Sequence, residues 1–179
     1  MSSSQSQRLA ATKSALVDSG RTLILNGGLK AVTMSAVADV SGLSRATVYN
    51  HIRSKHELLQ LVFDDFYRRL LEVARSKDSA RAGLVAVSQA IAHDDVVHGI
   101  RMHNPELLVS GLQWSTTFSD NLAVDVIEIL GAWHVHADLS AAEAVIRWLS
   151  SFASVPGTDA DREVGADIVA MTLSLDVVR

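Results

Sequence analysis

Between residues 44 and 55 the chain reads SRATVYNHIRSK. Its side chains suit two tasks on a duplex. Arg45 can present a guanidinium fork to guanine, Asn50 can pair with an adenine edge, and Thr47 can offer a hydroxyl or a methyl to a base. Tyr49, His51, Ser54 and Lys55 suit phosphate oxygens. Lys55 also sits at a helix start, where free N–H groups favour an anion. Ala46 is small enough to permit close approach. Thr33 and Ser44, which start the two helices concerned, complete the candidate DNA-binding set.

Such a set works only if one element presents it on one side. Ala38, Gly42 and Val48 fall four and then six residues apart. That is the steric pattern of a helix-turn-helix. A small residue admits the crossing helix, a glycine supplies positive φ in the turn, and an aliphatic residue locks the second helix from below. With Val48 turned inward, Arg45, Ala46, Thr47, Tyr49 and Asn50 face outward.

The surrounding punctuation agrees. A first helix is expected from Gln7 to Asn26, stopped by Gly27-Gly28. Thr33 caps a short helix over residues 34–40, and Ser44 caps the next, from Arg45 to Asn50. Ser54 and Glu57 form a capping box at the start of a long helix reaching Ser76. Beyond it, helical periodicity predicts segments over 79–93, 94–102, 105–114, 120–134, 140–154 and 159–177. Asn104-Pro105-Glu106 reads as a cap, a first-turn proline and an acid near the positive helix end. The fold class is all-α: a three-helix helix-turn-helix head over residues 1–54 and a helical body over 55–179.

Charge follows the same division. Residues 1–56 hold seven Lys or Arg against two acids, a net +5, whereas residues 57–179 hold nine against eighteen, a net −9. A basic module facing a polyanion, with an acidic body turned away, accounts for this. Cysteine is absent, which excludes disulfides and thiolate metal sites and suits a reducing compartment. No apolar run approaches the roughly 20 residues of a membrane span. The N-terminus lacks the apolar core of a signal peptide. These features imply a soluble cytoplasmic protein with no membrane partner.

The stretch GLKAVTMSAVADVSGLSRATVYNHIRSKHELL closely resembles the DNA-binding head of TetR-family transcriptional regulators. Gly28, Thr33, Ala38, Gly42, Ser44, Thr47, Tyr49, His51, Lys55, Glu57 and Leu58 stand at the family's spacing, and the resemblance covers about residues 14–65. It implies a homodimer that binds a partly palindromic double-stranded DNA operator. It also implies a C-terminal body that encloses a small-molecule effector. Two positions depart from the pattern. Ile52 stands where the family usually has an aromatic, and Gly20 replaces a usual alanine in the first helix. The glycine is expected to loosen that helix by up to about 1 kcal/mol.

In the body, Phe63, Phe66, Met102 and His103 are candidate lining residues for an apolar or amphipathic effector. Trp114, Phe118 and Trp133 join them. For dimerisation, Val145, Ile146, Leu149 and Phe152 recur at helical intervals on one helix, and Ile168, Met171 and Leu175 on another. Two such helices from each subunit would form a four-helix bundle about a twofold axis. His93, His98, His103, His134 and His136 show no metal-ligand spacing. No nucleophile elbow, phosphate loop or metalloprotease pattern occurs, so neither catalysis, a cofactor nor a metal is expected. The competing reading is a small-molecule carrier or enzyme that uses the body pocket and keeps a vestigial head.

Overall fold

The structure is a computed structural model that describes residues 3–109 and 121–175, the side chains at 3, 4, 109 and 175 excepted. The described residues are helical, with turns between: α1 Ser3–Ala31, α2 Met34–Ser41, α3 Arg45–His51, α4 Lys55–Arg75, α5 Ala80–His93, α6 Asp95–His103, α7 Glu106–Val109, α8 Leu122–Ala132, α9 Leu139–Ser154 and α10 Asp159–Leu175. Among them no helix is long and apolar enough to cross a membrane.

Local chemistry sets the boundaries in the head. α1 begins earlier than its periodicity suggests and breaks at Gly27-Gly28, where Gly28 takes φ 66° and one further helical turn follows. The Thr33 hydroxyl accepts the Ala36 N–H at 3.1 Å, and the Ser44 hydroxyl accepts the Thr47 N–H at 3.0 Å. Gly42 closes α2 at φ 68°, a left-handed conformation that costs glycine nothing. The expected capping box at α4 is displaced by one residue. Ser54 does cap the Glu57 N–H at 3.2 Å, but the Glu57 carboxylate accepts from Arg53 rather than Ser54, at 2.7 Å.

Three apolar clusters run down the molecule. The first joins the head to α4 and α6 through Leu16, Ile24, Val37, Val48, Leu58, Val62 and Ile100. The second lies between α4, α5, α6, α8 and α9, and the third between α5, α8, α9 and α10. Gly20 has a role the sequence reading missed. A Cβ there would lie 2.7 Å from Val62, so the glycine lets α4 pack tightly on α1. Ile52, where an aromatic was the expectation, is fully buried in the same cluster.

Head and body are stitched by polar contacts as well. α6 packs more extensively on α1 than any other pair of helices does. Asn104 closes α6, its N–H bonding to Ile100 at 2.8 Å, and its Oδ1 accepts the Leu29 N–H at 2.8 Å. Its amide nitrogen donates to Glu106 at 3.2 Å. Asn104 therefore spends its side-chain oxygen on the α1–α2 corner rather than on the helix that follows it, where the sequence had placed it as a cap. Nearby, Asp94 caps α6 through the Val96 and Val97 N–H groups and pairs with Arg69 at 3.0 Å. Arg21 of α1 reaches both Asp65 and Asp94 at 3.7 Å.

Candidate functional site

Val48 decides where the rest of α3 points. It is fully buried between α1, α2 and α4, and that fixes the helix about its axis. Arg45, Ala46, Tyr49 and Asn50 are exposed, and Thr47 and His51 are half-buried at the edge of the same surface. Tyr49 keeps 55% of its surface exposed. A convex helical face of this width fits a major groove.

Several side chains on this face are held in place. The Arg45 guanidinium donates to the Ser35 hydroxyl in the first turn of α2 at 2.6 Å. The Thr47 and Ser44 hydroxyls lie 2.8 Å apart, so the Thr47 methyl is the part left for a thymine methyl. Lys55 donates its ammonium to the Leu29 carbonyl, which ties the start of α4 to the α1–α2 corner. Two of its three N–H donors remain for phosphate. The start of α4 and the start of α2 both abut this face, so capped helix N-termini flank the reading helix. Ser35 and the Leu29 carbonyl were missed in the sequence. A serine in the first turn of the supporting helix was the available signal for the former; the latter is a tertiary contact with no local signature.

The body holds an apolar cavity of about 90 Å³ between α4, α5, α8 and α9. Tyr67, Leu70 and Leu71 of α4 line it, with Val126 of α8, Trp133 just beyond that helix and Leu149 of α9. Of the lining residues expected from sequence, Trp133 is here. Phe63 and Phe66 are buried instead in the first and second apolar clusters, up to two turns of α4 nearer the head than the residues that line the cavity. Met102 and His103 are exposed, Met102 by 62%, because α6 turns its opposite side to α1. Trp114 and Phe118 lie outside the described residues.

The expected interface residues divide in the same way. Val145, Ile146 and Leu149 line the cavity, and Phe152 stacks edge-on with Trp148 inside the second cluster. Ile168 and Met171 are open, at 61% and 67% exposure, with Val164 one turn before them at 60%. The Leu175 side chain lies outside the described residues.

Comparison with known proteins places this arrangement. Residues 16–62 match the family model of the bacterial regulatory proteins of the tetR family. Over 92 residues the chain is 30% identical to the HTH-type transcriptional repressor KstR2 of Mycolicibacterium smegmatis, an alignment that takes in 47% of this chain and 45% of that protein. The chain thus spans about half the length of this curated relative. Among solved structures, the TetR family repressor AlkX from Dietzia sp. strain DQ12-45-1b, implicated in biodegradation of n-alkanes, superposes with a TM-score of 0.67. The identity is 20%, over 89% of this chain and 96% of that one. The regulator FadR of Bacillus subtilis, solved with stearoyl-CoA, gives 0.55 at 17% identity, over 89% and 96%. At these identities the structural likeness is one of fold. KstR2 is a transcriptional repressor and AlkX a TetR family repressor. Residues 16–62 thus match the tetR family of bacterial regulatory proteins, and the fold of the whole chain is similar to that of a TetR family repressor.

Proposed function

We propose that the chain is a ligand-responsive transcriptional repressor that binds a partly palindromic operator as a homodimer. The observation that carries this reading is the exposed face of α3 over a buried Val48, with Arg45, Thr47, Tyr49 and Asn50 side by side. Arg45 and Asn50 would read bases, while Tyr49, His51 and Lys55 would hold phosphates. Two heads would sit about 34–36 Å apart, one turn of the duplex. The open stripe Val164, Ile168 and Met171 on α10 supports pairing with a second copy, because a twofold axis buries the same apolar patch from both sides.

The cavity would hold the effector. Its walls include α4, which starts at the head, so a ligand that prefers one position of α4 biases the spacing of the heads. Couplings of this kind amount to about 1–3 kcal/mol. A complete switch takes roughly 5.5 kcal/mol of differential binding. The relatives above, one implicated in n-alkane degradation and one solved with stearoyl-CoA, agree with an effector of apolar character.

Selection of bound fragments from random duplex DNA tests the function directly. A recovered site with two related half-sites about one helical turn apart supports it. Equal retention of all sequences, or none at low salt, removes it.

A further inference from the structure

The chemistry of the cavity wall restricts what can enter. Among its described lining residues no Asp, Glu, Lys, Arg or His occurs. Three side chains there carry polar atoms, Tyr67, Trp133 and Ser150. Two of the three donors are already spent. The Ser150 hydroxyl donates to the Ile146 carbonyl and the Trp133 indole N–H to the Lys77 carbonyl, each at 2.7 Å. Burial pushes the Tyr67 phenol up to about 12, so it stays neutral at any physiological pH. Among these described residues an ionised headgroup would therefore lose its water and meet no counter-charge.

We infer that this cavity takes an uncharged hydrocarbon chain and rejects a free carboxylate. The inference deepens the effector reading above and rests on it. The same chemistry has two sources: a free molecule such as an alkane or alcohol, or the acyl chain of a thioester whose charged end stays outside.

Size adds a second constraint. At about 90 Å³ the space is smaller than the roughly 150 Å³ apolar cavity known to bind benzene. It accepts a chain of a few carbons as it stands. A longer chain must move a wall, and Trp133 is the wall whose displacement would be felt beyond the cavity. The far edge of its six-membered ring lies against Gly83, where any Cβ would collide with it, and its indole N–H donates to the Lys77 carbonyl just past the end of α4. Displacing the ring breaks that bond, so entry of a longer chain is felt at the α4–α5 connection.

The experiment titrates the full chain near neutral pH with n-hexane, 1-hexanol, hexanoate and hexanoyl-CoA. Thermal shift and indole emission are read together, and W133F assigns the emission change. The expected result is that hexane and 1-hexanol raise the melting temperature and shift the emission, with hexanoate weaker by about tenfold or more. Hexanoyl-CoA matching hexanol identifies a conjugated chain as the source; failing to match identifies the free molecule. V126F on α8 and I146F on α9, which fill the cavity from two different helices, should each abolish the response. Hexanoate binding as tightly as hexanol overturns the inference, as does the absence of any hydrocarbon response. Duplex affinity is measured in parallel. Release driven by hexanoate alone keeps the effector reading and sinks this one, whereas hydrocarbon binding with unchanged duplex affinity does the reverse.

Discussion

The Arg45 guanidinium donates to the Ser35 hydroxyl at 2.6 Å, so the first residue of the reading helix is held by the first turn of the helix beneath it. Arginine entropy is thereby spent before any duplex arrives. Arg45→Ala should relax discrimination at one base pair by about 1–3 kcal/mol. Ser35→Ala should leave the fold unchanged, since its partner Arg45 is exposed and Ser35 only half-buried, and weaken specific binding less than Arg45→Ala does. Competition between operator and single-base variants measures both.

Lys55 touches the Leu29 carbonyl and still has donors for a phosphate. Lys55→Ala should weaken all duplex sequences alike and reduce the slope of log affinity against log salt by about one. Unchanged affinity and slope would remove Lys55 from the interface. Lys55→Arg should restore most of the slope.

Val48 is buried with no exposed surface, and Tyr49 beside it is open. Val48→Ala should therefore cost about 2 kcal/mol of stability. Tyr49→Ala should leave the melting temperature within error and reduce duplex affinity. If denaturation shows the reverse pattern, α3 is rotated from the orientation described.

Asp65 ties α4 to α1 through Arg21 and pairs with Arg68 and Arg69 along its own helix. Burial on its own would raise its pKa, but the hydrogen bonds and charges of Arg68 and Arg69 prevail and hold it below the ordinary value of 3.8. The folded state thus binds fewer protons at this site than the unfolded one. The stability it confers is present above about pH 4 and is lost as pH falls through the lower folded value. Asp65→Asn should lower the melting temperature at neutral pH and flatten its fall on the acid side. Melting curves of both proteins from pH 7 to pH 2 check the sign.

Val164, Ile168 and Met171 form an open apolar stripe on α10. Ile168→Glu with Met171→Glu should leave the circular dichroism unchanged and halve the mass measured by light scattering, if this face pairs two copies. An unchanged mass places any dimer contact elsewhere.

The head was legible because its signals are local. Thr33, Ser44 and Ser54 cap their helices within three residues, and Gly42 needs only its own φ. The body was less so, because a helical stripe says that a face is buried without saying against what. Val145, Ile146 and Leu149 recur as an interface would, yet they line a cavity within the subunit. Phe63 and Phe66 sit on the right helix for an effector, but the cavity lies further along it, at Tyr67, Leu70 and Leu71. Neighbouring residues on one helix can serve different clusters, and only the packing partners decide. Gly20 shows the same limit: a helix defect by propensity, it is a packing requirement once α4 lies across it.

Asn104 has a consequence for any attempt to treat the head as interchangeable. The residue that satisfies the Leu29 amide stands 75 positions downstream, and it also presses against Gly28 at the only left-handed point in α1. A chimera cut within α4 would inherit the reading helix but leave its keystone behind in the donor. Grafted heads should therefore fold poorly on foreign bodies unless an asparagine at the end of the new α6 meets that same corner.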